Sequence, residues 1–159
     1  MPILELPDQR LRQQAAAVDR FDAELQQQIS DLFDTLYAHT AIGLAATQVD
    51  LHRRIIVMDV SADRKQPQVF VNPRSLRQDT RAMVEESCLS VPGISASVPR
   101  CVRMRVAWQD PAGRGQEQTL DGLAAVCLQH EMDHLEGRLF TDRLSFLQRL
   151  RWRKRLRGA

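Results

Sequence analysis

The sequence predicts an α+β fold: mostly antiparallel sheets packed around a central helix that contains H-E-M-D-H, with a further helix at the C-terminus. Two observations lead to this class. Helical periodicity appears near the start of the chain and again in its last third, and segments rich in β-branched residues cluster between these regions. Strands that cluster rather than alternate with helices favour α+β over a doubly wound sheet. The length of 159 residues suits one domain, so we expect residues 1–159 to fold as a single unit.

The composition excludes several classes of protein. Apolar residues make up 43% of the chain and charged residues 26%, which resembles globular domains and not disordered chains. No apolar run approaches the roughly 20 residues that span a bilayer, so we expect no membrane partner. The N-terminus lacks a basic stretch followed by an apolar one, and the three cysteines are an odd number. Both features predict a cytoplasmic protein without a signal peptide or a disulfide framework.

The first helix is predicted over residues 22–39, with Asp19 or Asp22 at its start. Its apolar residues recur every three or four positions, as on the buried face of an amphipathic helix. They are Phe21, Leu25, Ile29, Leu32, Phe33, Leu36 and Tyr37. The stretch A-I-G-L-A-A-T-Q at 41–48 then interrupts the helical pattern.

Strands are predicted over 54–60, 69–72 and 102–108, where β-branched residues are frequent or apolar and basic residues alternate. The segment 110–115 contains a proline and two glycines and therefore predicts a turn. Residues 116–120 are expected to return as the second strand of a hairpin.

Two more helices are predicted after this hairpin. One begins at Asp121 and ends near Gly137, with an apolar stripe that leads into His130 and His134. The other covers residues 143–156, and four leucines are expected on its apolar side: Leu144, Leu147, Leu150 and Leu156.

Charge is distributed unevenly along the chain. The last 17 residues carry seven basic residues and no acidic one, whereas the net charge of the whole chain is only +2. The asymmetry indicates a polyanionic partner for residues 143–159. An ordinary solvated helix face is the alternative, because charge runs commonly face water.

The strongest local motif is H-E-M-D-H at residues 130–134. On a helix, positions i and i+4 lie on one face, so the imidazoles of His130 and His134 can reach one metal ion. Glu131 beside them can exchange protons with a water molecule bound at that ion. The alternative is a solvated helix that holds two histidines at this spacing by chance.

A catalytic metal site of this kind needs a third protein ligand. Two familiar peptidase patterns lack theirs here, because no carboxylate follows Asp142 and Phe140 stands where a third histidine would be. The ligand must therefore come from upstream. His39 and His52 are candidates, and Cys88 in the turn-like segment E-E-S-C-L-S-V-P is preferred, since a thiolate with two imidazoles also suits iron(II). Taken alone, Cys88 fits a small buried hydrophobic residue better than a metal ligand.

Three short motifs, taken together and in this order, resemble those of peptide deformylases. They are A-I-G-L-A-A-T-Q at 41–48, E-S-C-L-S at 86–90 and Q-H-E-M-D-H at 129–134. The N-terminal segment and the basic C-terminal helix also resemble the Gram-negative type of this family. The resemblance implies a hydrolase that removes the N-formyl group from formyl-methionine at the start of nascent polypeptides and releases formate.

The resemblance also implies a role for each matched residue. Cys88, His130 and His134 would hold one divalent metal ion, which is iron(II) in the cell and can be nickel, cobalt or zinc in isolated protein. Glu131 would take a proton from the attacking water and later protonate the leaving amine.

Two further groups would stabilise the negative charge that develops on the formyl oxygen. The resemblance assigns this role to the side-chain amide of Gln48 and to the backbone N–H of Leu89. It places five residues around the substrate, although spacing alone makes Cys127, like Cys101, a core residue. These five are Ile42, Gly43, Glu86, Val126 and Cys127. The implied partners are the formyl-methionyl nascent peptide and the ribosome near its exit tunnel, contacted through the basic C-terminal helix, with no DNA partner.

Two residues depart from the family pattern. Ala41 and Ser87 stand where the family usually has glycine, and Ser87 would be strained if its position required a positive φ. Two other functions stay open at this point. One is a metallopeptidase, and the other is an RNA-binding protein whose metal site is structural.

Overall fold

The computed structural model describes residues 1–158 and confirms the α+β class, with one antiparallel sheet and three α-helices. The strands are β1 Gly43–Ala45, β2 Ile55–Met58, β3 Gln68–Cys88, β4 Val91–Gln109 and β5 Gly115–Asp121. The helices are α1 Ala23–Ala38, α2 Gly122–Leu135 and α3 Phe146–Gly158. Each strand pairs antiparallel with the next one along the chain, so the sheet order is β1-β2-β3-β4-β5. None of the described helices combines the length and the apolar character needed to cross a membrane.

Strand β2 separates two halves of the core because its side chains alternate between the faces of the sheet. Ile55 and Val57 pack against the leucines of α1, while Ile56 and Met58 pack against α2. All four side chains are fully buried. The helix with the H-E-M-D-H motif is therefore held against the sheet through an apolar face, and it also contacts β1, β4 and β5.

The predictions for the first two helices are confirmed to within about two residues. Asp22 is the N-cap of α1 and accepts a hydrogen bond from the Leu25 N–H at 3.1 Å. Helix α2 ends at Leu135, and Gly137 follows with a φ of +70°, a backbone conformation that favours glycine.

The stretch 41–48, which interrupts the helical pattern in the sequence, forms two short elements in the structure. Residues 43–45 form β1 at the edge of the sheet, and Ala46–Val49 form a 3₁₀ turn. The small side chains of this stretch permit close packing, and Leu44, Ala45 and Ala46 are fully buried.

Two strands are much longer than the sequence predicted. The segment predicted at 69–72 is part of β3, and the one at 102–108 is part of β4. Periodicity missed the rest because residues 76–85 are all exposed or half-buried and show no regular apolar alternation.

The segment predicted to be turn-like does contain a turn, but Cys88 itself lies in the strand before it. Cys88 is the last residue of β3 and pairs with Val91 across the turn formed by Leu89 and Ser90. Pro92 lies within β4, where the register shifts and three residues bulge out before Ser95 pairs with Ser87. A bulge tolerates proline because that position has no ladder hydrogen bond to lose.

The last helix is confirmed, but it begins at Phe146 and not at residue 143, and of the leucines predicted on its apolar side only Leu156 packs on the body from within the helix. Leu144 is buried but precedes α3, whereas Leu147 and Leu150 are 75% and 47% exposed. Helix α3 packs on the body through Trp152 and Leu156, which contact a cluster built around Val91, Ile94, Val98 and Phe140. A leucine pattern alone does not reveal which side of a short helix meets the rest of the fold.

Replacement of Gly137 by alanine tests how α2 ends. An alanine side chain would need the unfavourable positive φ, and its Cβ would overlap the backbone carbonyl of Arg12. We expect the free energy of unfolding to fall by about 1–3 kcal/mol in urea titrations. Gly115→Ala is the matched control, because its added Cβ meets nothing within 4 Å. Equal stability of the two variants would contradict this account.

Candidate active site

Three potential metal ligands converge between helix α2 and the end of strand β3. The Nε2 atoms of His130 and His134 are 3.3 Å apart, and the Cys88 Sγ lies 3.3 Å from the His134 Nε2. All three ligand atoms lie within 4.8 Å of one another. His39 and His52 are elsewhere: His39 follows the last turn of α1, and His52 contacts Asp50 at 3.1 Å.

The spacing of these atoms fits a single transition-metal ion. Nitrogen and sulfur ligands about 2.0–2.3 Å from a tetrahedral ion lie roughly 3.3–3.6 Å from one another. The two separations of 3.3 Å agree with this value. One sulfur and two imidazole nitrogens form a donor set that suits iron(II) or zinc. The residues present therefore fit a divalent metal ion with one coordination position left for water or substrate.

Glu86 fixes the orientation of His130, one of the three potential metal ligands. Its Oε1 lies 2.7 Å from the Nδ1 of His130, and a carboxylate there accepts the Nδ1–H. The Nε2 lone pair is then directed towards Cys88 and His134. Burial acts to raise the pKa of Glu86, but the hydrogen bonds from His130 and Arg100 hold it below its ordinary value.

A buried guanidinium connects this pair to the rest of the molecule. Arg100 donates to both oxygens of Glu86 at 2.7 and 2.9 Å, and to Asp133 at 2.7 Å. Arg143 in turn makes two bonds of 2.8 Å to Asp133. A relay of hydrogen bonds thus runs from His130 through Glu86, Arg100 and Asp133 to Arg143, which precedes α3. Sequence reasoning missed Arg100, since it resembles the exposed Arg103 and Arg105 that follow it on the same strand.

Glu131 lies within a closely packed part of the site. Its side chain is buried, and burial raises its pKa to about 7, with a smaller contribution from the charge of Glu86. Its Oε2 has no hydrogen-bond partner among the described residues. A Cβ on Gly43 would lie 2.6 Å from the Cys127 Sγ and 2.9 Å from the Glu131 Oε1. Only glycine fits at position 43 without displacing the carboxylate.

The amide of Gln48 is held by contacts at both ends. Its Oε1 accepts a hydrogen bond from the Ala45 N–H at 3.0 Å, and its Nε2 donates to the Ser90 Oγ at 3.1 Å. The same Nε2 is 3.7 Å from the Cys88 Sγ. These contacts determine which end of the amide is oxygen and which is nitrogen, and they place the NH₂ group on the side of Cys88.

A cleft of about 530 Å³ opens over these groups. Every residue assigned above to catalysis, metal binding or substrate lines it except His134: Ile42, Gly43, Gln48, Glu86, Cys88, Leu89, Val126, Cys127, His130 and Glu131. Ala41 and Ser87 line it too, and neither has a positive φ. The condition for strain at Ser87 is therefore not met.

Comparison with known proteins gives the family. The polypeptide deformylase family model matches residues 1–150. The chain is 50% identical over 155 residues to a peptide deformylase of Chromobacterium violaceum, covering 98% of this chain and 93% of that protein. It is 48% identical over 159 residues to a peptide deformylase 2 of Xanthomonas campestris, covering 98% of this chain and 94% of that protein.

The chain belongs to the peptide deformylase family. A solved peptide deformylase from Legionella pneumophila is 44% identical with a TM-score of 0.92, and the match covers 99% of this chain and 93% of that one. A structure from Synechococcus elongatus in complex with actinonin is 39% identical with a TM-score of 0.92, covering 99% of this chain and 87% of that one. Peptide deformylases are metal-dependent hydrolases that remove the N-formyl group of nascent polypeptides, and the chain is an enzyme of this kind.

Arg100→Met tests the relay. The substitution leaves Glu86 and Asp133 as buried carboxylates that have lost a shared partner, so we expect about 3–5 kcal/mol less stability in denaturant titrations. Because Glu86 orients His130, affinity for added Ni²⁺ should also fall about 10–100-fold in chelator competition.

Arg103→Met is the matched control for this prediction. It removes an arginine from the same strand whose pair with Asp121 spans 3.4 Å and is 58% and 63% exposed on its two sides. We expect a stability change below about 1 kcal/mol and unchanged metal affinity. If both variants behaved alike, the buried relay would have no special role.

Proposed function

We propose that the deformylation reaction takes place where Cys88, His130 and His134 converge beside Glu131. The observation that carries this assignment is the meeting of three ligand atoms within 4.8 Å of one another at the cleft that Glu131 lines. The reaction would be hydrolysis of the formyl amide of formyl-methionine, giving formate and a free N-terminal amine.

Cys88, His130 and His134 would hold one divalent ion, which we expect to be iron(II) in the cell. Nickel, cobalt or zinc would occupy the same ligands in isolated protein. When bound, such an ion acidifies water and polarises a carbonyl group. The soft thiolate of Cys88 and the orientation of His130 by Glu86 support a transition metal here.

Glu131 would act as the acid–base group. Its Oε2 makes no bond to the described protein, whereas Gly43 and Cys127 pack against the rest of the side chain and limit its movement. The carboxylate would accept a proton from the attacking water and then deliver it to the nitrogen that leaves. A single carboxylate can serve both steps because the proton gained in the first is the one lost in the second.

Gln48 and Leu89 would stabilise the oxyanion. The Nε2 of the Gln48 amide donates to Ser90 at 3.1 Å and makes a longer contact of 3.7 Å to the Cys88 Sγ, and the N–H on the Cys88 side would be the one that donates to a formyl oxygen. The Leu89 N–H follows the ligand Cys88 directly, at the start of the two-residue turn. One donor aimed at the developing charge contributes roughly 3–4 kcal/mol to catalysis.

The substrate would lie against the edge of the sheet. Strand β1 has no neighbour on its outer side among the described strands, and an extended peptide can pair with such an edge. Ile42, Val126 and Cys127 would form the apolar wall for the methionine side chain, with Gly43 and Glu86 at its inner end.

The C-terminal helix would bring the enzyme to its substrate. We expect a single-domain protein of the cytoplasm that docks near the ribosomal exit tunnel through α3. Helix α3 exposes Arg151, Arg153 and Lys154, and it contains no aspartate or glutamate. Such a surface attracts the phosphates of ribosomal RNA.

The reaction is tested by formate release from formyl-Met-Ala-Ser under anaerobic conditions, with iron- or nickel-loaded protein. We expect turnover of this peptide and none of unformylated Met-Ala-Ser. Cleavage of an internal amide in unformylated peptides would instead support a metallopeptidase. Absence of turnover with one metal ion bound per chain would support an RNA-binding protein with a structural site.

Substitutions at two positions separate metal binding from chemistry. Glu131→Ala should keep the metal and lose activity by about 10²–10⁴-fold, because only proton transfer is removed. Cys88→Ala should lose both metal and activity, as measured by metal content and formate release. Cys101→Ala is the control, since this buried cysteine lies outside the ligand group and should retain both. Full metal content in Cys88→Ala would exclude it as a ligand.

Ribosome docking is tested by the salt dependence of binding to purified ribosomes. We expect binding to weaken steeply with added KCl, and Arg151→Ala should lower the slope of log Kd against log salt by about 0.7–0.9. Turnover of formyl-Met-Ala-Ser by the variant serves as the control and should not change. A slope that is the same for both proteins would remove α3 from the docking surface.

A further inference from the structure

A second groove, of about 510 Å³, adjoins the catalytic cleft on the side of the β4 bulge. Leu6, Val91 and Ile94 contribute apolar side chains to it, and Leu156 contributes another from α3. Val91 and Ile94 are 2% and 4% exposed, so their positions are fixed by the core beneath. The structure therefore contains a preformed, largely apolar groove between the bulge and the C-terminal helix.

The groove and the cleft share part of their lining. Pro92 lines both cavities, and the neighbouring residues Glu5 and Leu6 line the cleft and the groove respectively. Cys88 and Val91 are paired across a two-residue turn, so the Cα of Pro92 lies within about 9 Å of the Cα of Cys88. An extended peptide covers that distance with about three residues.

The charge of the groove differs from that of the cleft. Lys154 and Arg155 line the groove, and no carboxylate does so among the described residues. Arg155 donates a hydrogen bond to the Gly93 carbonyl and lies 5.1 Å from the ring centre of Trp152, which fixes the guanidinium in place. Lys154 is exposed and forms no hydrogen bond or ion pair with the described part of the chain.

We propose that this groove binds the downstream segment of the formylated peptide, at about its fourth to seventh residues, and that it favours apolar side chains accompanied by acidic ones. The apolar floor selects the first property, and the two cations select the second. The proposal rests on the function proposed above, since the peptide reaches the groove only when its formyl end lies at the metal ligands.

The test compares formylated peptides that end in an amide and share the sequence formyl-Met-Ala-Ser. One ends there, and three continue with Leu-Glu-Glu-Leu, Leu-Gln-Gln-Leu or Leu-Lys-Lys-Leu. We expect kcat/KM to rank glutamate above glutamine above lysine, with a three- to tenfold difference between the extremes. The difference should appear in KM, because the groove would contact the peptide equally before and during the reaction.

Variants of α3 identify the cations responsible. Lys154→Ala should reduce the glutamate-to-lysine ratio, and Lys154→Ala combined with Arg155→Ala should bring it below twofold, while turnover of the tripeptide stays unchanged. Arg153→Ala is the matched control, because it removes the same charge from the same helix at a position that does not line the groove. It should keep the wild-type ratio.

Two outcomes would overturn the proposal. One is equal kcat/KM for all three long peptides in the wild type, and the other is a loss of preference in Arg153→Ala as large as in Lys154→Ala. A wild-type protein that fails on the tripeptide as well would refute the proposed function instead. Anisotropy of the fluorescently labelled glutamate and lysine peptides would then still decide whether the groove prefers acidic chains.

Discussion

The buried guanidinium of Arg100 is the interaction on which the geometry of the site depends. It stands on β4, reaches Glu86 on β3 and Asp133 on α2, and is only 3% exposed. Burying a charge is costly unless it is paired and hydrogen-bonded, and here each member of the group has its partners. The same bonds that neutralise the group also fix the distance between the hairpin that carries Cys88 and the helix that carries both histidines.

Close packing imposes a second constraint around Glu131. Strand β1 approaches α2 so closely at Gly43 that a methyl group would collide with Cys127 and with the carboxylate. This contact excludes bulk water from one side of the acid and narrows the positions that it can take. One packing interaction therefore fixes both the edge strand β1 and the carboxylate of Glu131.

The C-terminal helix is connected to the site through two independent contacts. Arg143, just before α3, binds Asp133 and so joins the relay that ends at His130. Trp152 and Leu156, further along the helix, pack against the apolar cluster that includes Val91 and Ile94. The helix thus has one side that lines the groove beside the β4 bulge and another side that exposes basic and apolar residues, including Phe146 and Leu147 at 75% exposure each.

Much of the site was predictable because it depends on local geometry. The spacing of His130 and His134 places both imidazoles on one helix face whatever the rest of the fold does. The Asp22 cap follows from a local hydrogen bond, and the Gly137 stop follows from a positive φ that favours glycine. The choice of Cys88 over His39 and His52 depended on three motifs in order.

Other features were decided only by tertiary contacts. The sequence did not predict the full length of the β3–β4 hairpin, the burial of Arg100 or the face by which α3 docks. The polar parts of β3 and β4 form strands because they pair with each other along their length. Arg100 is buried because two carboxylates from distant segments, Glu86 and Asp133, form ion pairs with it. By itself the sequence determined which residues can do the chemistry, and the tertiary structure determined how they are held. The reason is that motif spacing acts within one helix or turn, whereas burial and ion pairing require segments that are far apart in the chain.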